Sequence, residues 1–336
     1  MSKFQHHVHR CTFYSLIFAV ILITSFALNN IANASNNPDP RSVSEDGIVT
    51  SPLMNQTTAI AWTKEEMENA VPLMTKIDKN QISDINRAMP DGPAGIIPGK
   101  LPDQKYADNS SIDWSGEVNP YSEYPYSTVG KIFFRQRDIY GTFFSAVCSG
   151  AVIRENEVWT AGHCVHRGSG LEFGWSTDMV FVPQYYDGYA PCGQWTITQA
   201  KTTSDWYNNG TRDGLDPDHD YAKVLVSNPN TACTGILGFA YNQDYNQQYL
   251  SVGYPAEDPY NGQRMIFCWS TLLKLGIGSP ATYGISCPMN GGTSGGPFII
   301  NGNALNGTNS YIVPGANELY SPYFNSDTKS FYDSGF

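Results

Sequence analysis

An all-β fold of two packed antiparallel barrels is what this sequence predicts, on three observations. The 336 residues include 31 Gly, 21 Pro and 21 Tyr yet are only 15% charged, the composition of a β-rich, turn-rich chain. From about Tyr121 onward, short runs of β-forming residues recur, most of them separated by Gly, Pro or Asn clusters. These runs fall into two groups of five or six, and residues 121–336 suffice for two β units of about 100 residues each. At 41% apolar the chain is not disordered, and a net charge of −11 argues against a nucleic-acid-binding face. No internal repeat is visible, which excludes a solenoid or propeller.

Taken in order, residues 1–34 read as a secretory signal peptide. Lys3 and Arg10 precede an apolar run from Cys11 to Leu28, and Ala32, Asn33 and Ala34 supply a small-x-small cleavage pattern. Uncleaved, that run is long enough to begin to span a bilayer; the cleavage pattern at the right distance favours its removal. No other stretch is long enough to cross a membrane.

Residues 35–120 read as a propeptide and linker. Within them 35–60 are polar and unstructured, and Thr63 to Thr75 form a helix opened by a Thr63/Glu66 capping box and limited by Pro72. Residues 88–104 are Pro/Gly punctuation. Residues 121–336 are then the main domain, with its two units meeting near 228–245. The first group of strands is Val129–Phe134, Phe143–Ile153, Glu157–Thr160, Met179–Tyr185, Trp195–Ala200 and Tyr221–Val226. The second is Tyr249–Tyr254, Met265–Leu273, Thr282–Cys287, Pro297–Ile300 and Ala304–Tyr311.

Export governs how the cysteines read. Loss of Cys11 with the signal leaves Cys148, Cys164, Cys192, Cys233, Cys268 and Cys287, an even set that implies disulfides in an oxidising compartment. The sequence alone does not choose among the pairings. There is no CxxC pair, and only His163, His166 and His219 remain, so no metal site is expected.

Three segments carry chemistry. Val158 to Cys164 sets His163 after small residues at the end of a β run. In His219-Asp220-Tyr221, Asp220 stands at the entrance to an apolar strand, and Ser294 lies inside the glycine cluster from Gly291 to Gly296. A serine hydroxyl is a poor nucleophile unless a neighbouring base takes its proton. Histidine is that base at neutral pH, and a buried acid fixes its tautomer and stabilises the imidazolium. The developing oxyanion needs donors, which the backbone N–H groups of Gly292 and Ser294 supply if the loop curls. Asp216 and Asp218 compete with Asp220, but no apolar strand follows them directly to carry the acid into the core.

Here the chain resembles the chymotrypsin-like serine peptidases. Thr160-Ala161-Gly162-His163-Cys164 resembles their TAAHC motif, Gly292 to Pro297 their GDSGGP, Cys148-Ser149-Gly150 their CSG, and Gly307 to Tyr311 their GxxSW strand. Within the family the chain looks closest to the V8-like glutamyl-endopeptidase branch. The resemblance covers residues 121–336 and implies two antiparallel six-stranded barrels with His163, Asp220 and Ser294 in the cleft as base, orienting acid and nucleophile. It also implies Cys148–Cys164 and Cys268–Cys287 disulfides; Cys192–Cys233 then remains.

The implied activity is that of a secreted serine endopeptidase acting through an acyl-enzyme on Ser294. It would be a monomer, free of the membrane after signal removal, with protein or peptide substrates, no cofactor and no nucleic-acid partner. The alternative is a catalytically silent binding protein on the same fold. One departure is Thr293, which stands where trypsin-type zymogens carry the Asp that pairs with a freed N-terminus. Activation by that route is therefore not expected, although 35–120 still reads as a propeptide. Met289, Asn309, Ser310 and Tyr311 are expected around the substrate pocket. With Pro288 at its base and no charged residue in this set, the pocket should prefer an uncharged side chain; Asp258 or Arg264 reaching in would change that. His166 is expected to cap or solvate the turn after Cys164, and Asn55, Asn109, Asn209 and Asn306 are N-x-S/T sequons.

Overall fold

The computed structural model describes residues 46–54, 62–82, 90–102, 115–211 and 216–336. The expected signal peptide and the Asn55 and Asn109 sequons lie outside the described residues.

Five strands precede the main domain: β1 (Ile48–Thr50), β2 (Val71–Pro72), β3 (Thr75–Lys76), β4 (Gly95–Ile97) and β5 (Ser115–Glu117). The next six are β6 (Val129–Arg137), β7 (Phe143–Arg154), β8 (Glu157–Thr160), β9 (Thr177–Pro183), β10 (Trp195–Thr203) and β11 (Ala222–Val226). They pair antiparallel in the order β6, β7, β8, β11, β10, β9, and β9 returns to β6, closing a six-stranded barrel.

A second sheet contains β12 (Gly238–Tyr241), β13 (Gln248–Gly253), β14 (Ile266–Leu275), β15 (Tyr283–Ser286), β16 (Pro297–Ile300), β17 (Ala304–Thr308), β18 (Tyr311–Ile312) and β19 (Glu318–Ser321). Its order is β18, β19, β15, β14, β13, β16, β17, β12. It is a half-barrel, more open than the closed second barrel expected.

Strand alternation distributes the core. Along β6, Ile132 and Phe134 join a cluster that fills the first barrel, while Val129 and Phe133 join another shared with the second unit. On β8 the same alternation sends Val158 inward and Trp159 toward the second unit. This two-sided burial explains why the barrel strands read as nearly continuous apolar runs. The shared cluster also holds Phe239, Leu250, Val252 and Tyr254 from the second unit.

A helix at Ser326–Asp333 completes that junction, capped by Asn325 accepting from the Thr328 N–H. Its Phe331 meets Trp159 edge-on at 5.6 Å, and its Tyr332 stacks on Phe239 at 4.1 Å. The helix was not foreseen; eight residues with only two large apolar side chains carry little periodicity.

The early segment is more ordered than its composition suggests. Residues 48–50 lie in the stretch expected to be unstructured, yet β1 pairs with β10, and β4 inside the expected linker pairs with β12. Edge strands of three residues need no period of their own when an existing sheet supplies the partners. The helix expected over Thr63–Thr75 keeps its capping box but spans only Lys64–Glu68. Pro72 has no N–H for a helical bond and disfavours the helical region at Val71, so the chain goes extended.

Three disulfides form, Cys148–Cys164, Cys192–Cys233 and Cys268–Cys287. No described helix is long and apolar enough to cross a membrane. The Asn306 sequon is buried, its amide donating to the Ala240 carbonyl at 3.0 Å.

Because Phe331 closes the junction between the units, Phe331→Ala should destabilise the protein by about 3–5 kcal/mol. Urea unfolding of the two proteins checks this; a loss under about 1 kcal/mol would show that the helix is a dispensable appendage.

Candidate active site

His163 sits on a one-turn helix, Gly162–Val165, directly after β8. The Cys148–Cys164 bridge ties that turn to β7. Asp220 follows a short turn, Pro217–His219, and leads into β11, which pairs with β8. Two adjacent strands thus present the histidine and the acid side by side. The Asp220 carboxylate accepts from the His163 backbone N–H at 2.8 Å through Oδ1, and its Oδ2 lies 2.8 Å from His163 Nδ1. A third bond comes from the second unit: Ser310 Oγ donates to Asp220 Oδ2 at 2.6 Å. Both His163 and Asp220 are 1% exposed.

The rival acids are engaged elsewhere. Asp218 accepts from the Ser279 N–H at 2.8 Å, and Asp216 lies 2.8 Å from His219 Nδ1. Burial works to lower the His219 pKa, but Asp216, Asp218 and Asp205 together hold it above the usual histidine value. His166 is buried under Trp175 and Tyr207, where its Nδ1 accepts from Gly168 N–H and its Nε2 meets the Leu171 carbonyl. Burial pushes its pKa down to about 4, so it is a neutral brace of the turn.

Ser294 lies in the tight turn between β15 and β16. Gly292 adopts φ +95°, and a Cβ there would stand 2.6 Å from the Tyr254 carbonyl, so only glycine fits. The turn is gripped from both units. Ser149 of β7 donates its N–H to the Ser294 carbonyl at 2.7 Å and its hydroxyl to the Gly292 carbonyl at 3.0 Å. From the other side, Asn309 Nδ2 donates to Thr293 Oγ1 at 2.8 Å and to the Thr293 carbonyl at 3.0 Å. Asn309 Oδ1 in turn accepts from Ser251 Oγ at 2.7 Å.

The Gly292 N–H points at a carbonyl oxygen, that of Leu73, at 2.9 Å, and the Ser294 hydroxyl donates to the same oxygen at 2.8 Å. Two donors of the serine turn thus converge on one carbonyl oxygen. The buried His163 Nε2 has no hydrogen-bond partner among the described residues.

The residues expected around the pocket separate into two kinds. Met289 is buried in a cluster with Cys287 and Ile285, and the Tyr311 ring stacks on Tyr320 at 4.5 Å. Asn309 bonds Thr293, Val252 and Ser251, and Ser310 bonds Asp220, so both also support the turn and the acid. Ser149 and the Asn309 clamp were not foreseen as site elements. Ser149 was visible only as part of the CSG match, and nothing local marks a buried amide that closes on residue 293. Arg264 is held by Asp187 and Glu117, at 2.6 and 2.8 Å. An acid that does come near is Glu257: a Cβ on Gly291 would stand 2.7 Å from its carboxylate.

Two groups among the described residues bring potential metal ligands within 4.8 Å of one another, Cys148/His163/Cys164 and Asp216/Asp218/His219. In the first, both sulfurs are consumed by the disulfide. In the second, His219 Nδ1 lies 2.8 Å from Asp216 Oδ1 and Asp218 Oδ2 accepts from the Ser279 N–H, while the buried Asp216 Oδ2 has no hydrogen-bond partner among the described residues.

No family profile and no curated protein matches this sequence. Solved structures do. AL20, a thermostable serine protease from an extremophilic microorganism, superposes with a TM-score of 0.55 at 34% identity, over 62% of this chain and 95% of that one. The protease Anisep from Arthrobacter nicotinovorans gives 0.55 at 33% identity, over 63% of this chain and 96% of that one. A Glu endopeptidase solved in complex with MPD shares the fold, with a TM-score of 0.53 at 16% identity over 66% of this chain and 96% of that one.

If Asn309 positions the Thr293 turn, Asn309→Leu should lower kcat by about a hundredfold, the scale of losing an aligned oxyanion donor, with KM little changed. Stability should fall by about 2–3 kcal/mol from the unpaired groups left behind. Steady-state kinetics check this; a change confined to KM or to side-chain preference would make Asn309 a pocket residue instead.

Proposed function

The chain belongs to the chymotrypsin-like serine proteases, and from that premise we propose that it is a secreted endopeptidase hydrolysing peptide bonds through an acyl-enzyme on Ser294. The observation that carries this reading is the single buried network joining Asp220, His163 and Ser310, set beside a serine turn whose Gly292 N–H already holds a carbonyl oxygen.

The mechanism follows from the groups present. Ser294 Oγ attacks the scissile carbonyl carbon as His163 Nε2 takes its proton. Asp220 holds the proton on Nδ1, so that Nε2 is the free base, and stabilises the imidazolium. The N–H groups of Gly292 and Ser294 receive the oxyanion, a donor of this kind being worth about 3–4 kcal/mol in the transition state. The imidazolium then protonates the leaving amine, and water repeats the sequence on the acyl-enzyme. Ser310 acts through Asp220 by fixing the acid's orientation. Three disulfides support an exported protein, with residues 35–120 as a propeptide. The buried, uncharged Met289 supports preference for an uncharged substrate side chain, and Glu257 disfavours an acidic one.

Ser294→Ala and His163→Ala should each lower kcat/KM by at least about ten-thousand-fold without unfolding the protein, and the double variant should be little worse than either. Losses that multiply would contradict a shared mechanism. Asp220→Asn should be comparably severe; a crippling Asp218→Asn with a mild Asp220→Asn would move the acid. Cleavage-site profiling on a denatured proteome should show uncharged residues before the cut. A sharp Glu or Arg signature would overturn the pocket reading alone.

A further inference from the structure

Residues 71–77 cross the site from the first barrel to the second unit. Resting on the hydrolase reading above, we propose that they are an autoinhibitory strap that occupies the anion site without being cut. β2 runs parallel to β7, Val71 opposite Ala146 and Pro72 opposite Val147, and Leu73 N–H reaches the Val147 carbonyl at 3.2 Å. The Leu73 carbonyl then takes the Gly292 N–H and the Ser294 hydroxyl. Beyond it, β3 runs parallel to β18, Thr75 opposite Tyr311 and Lys76 opposite Ile312, and Ile77 N–H reaches the Ile312 carbonyl at 3.0 Å. The segment 71–77 is thus bonded in turn to the first barrel, the nucleophile turn and the second unit.

The side chains anchor the same path. Leu73 packs in the cluster that contains Cys148 and Cys164. Met74 packs against the cluster of Cys287 and Met289, its sulfur 3.5 Å from Ser294 Oγ. Ile77 is fully buried with Tyr311, Val313 and Tyr320, and Lys76 pairs with Glu257 at 3.0 Å. The exposed ion pair adds little to affinity. The buried Leu73 and Ile77 supply most of the hold.

An extended segment in this cleft invites comparison with a substrate, and three features set it apart. The Ser294 hydroxyl donates to the carbonyl oxygen, so its proton points at the atom beside the one it should attack. His163 Nε2, the atom that must take that proton, has no partner among the described residues. The carbonyl in the anion site belongs to Leu73, which packs in the first-barrel cluster, whereas the side chain packed against the cluster that holds Met289 belongs to Met74. In a cleavable peptide one residue supplies both. The strap therefore holds the serine in a hydrogen-bonded, unreactive arrangement. Being on the same chain, it acts at an effective concentration no free peptide substrate matches until a cut separates it from the domain.

The test is the rate at which a fluorophosphonate labels Ser294 in the full-length chain, read by mass on the uncut protein. The wild-type chain should label slowly. Met74→Asp, which places a charge against the Met289 cluster, should label at least about tenfold faster. Ile77→Ala, a milder truncation, should label several-fold faster and decides the matter if Met74→Asp does not fold. Labelling of all three at one rate overturns the strap and leaves the hydrolase reading standing. Folded variants that never label at Ser294 overturn the hydrolase reading, and the strap with it.

Discussion

Taking a carboxylate out of water costs several kcal/mol unless donors replace the lost solvent. At Asp220, 1% exposed, three donors do so: the His163 backbone N–H, the His163 ring and the Ser310 hydroxyl. Two belong to the first barrel and one to the second unit. The acid is satisfied only when both units are in place, so its burial couples the packing of the whole domain to the orientation of one imidazole. A shift of either unit would leave a buried anion short of a donor, and that penalty holds the geometry together.

The serine turn is built on the same plan. Ser149 reaches it from the first barrel and Asn309 from the second unit, and the left-handed Gly292 lets its N–H face the Leu73 carbonyl. In trypsin-type zymogens an acid at the Thr293 position waits for a freed N-terminus. Here Thr293 is already held by a neutral amide, so the turn is formed while residues 71–77 are still attached. A site assembled in advance needs another means of restraint, and the Leu73 carbonyl lies where such a restraint would act. The aromatic junction of Trp159, Phe239, Phe324 and Phe331 gives both halves a common packed floor.

Much of this was legible in the sequence where the determinant is local. His163 and Ser294 announce themselves by the residues on either side, and the barrel strands by short apolar runs between turn residues. β8 has the ends expected of it, while β6 and β10 extend about three residues beyond their apolar runs. Pairing, not composition, ends those strands. β12 and β19 escaped notice because four residues such as Gly238–Tyr241 or Glu318–Ser321 carry too little alternation. The roles of Ser310 and Asn309 were hidden for another reason: each depends on a partner far along the chain, Asp220 and Thr293. The contact between Leu73 and Ser294 joins residues 221 positions apart, and no local pattern encodes it.

The central claim is that this buried network delivers Ser294 as a covalent nucleophile, and an acyl-enzyme is its direct trace. Active enzyme mixed with a slow ester substrate and quenched in acid within one turnover should carry the acyl mass on the peptide containing Ser294. The same trial on Asp220→Asn should yield almost none. An acyl group on another residue, or turnover with no covalent species in enzyme quenched at its pre-steady-state burst, would contradict the account.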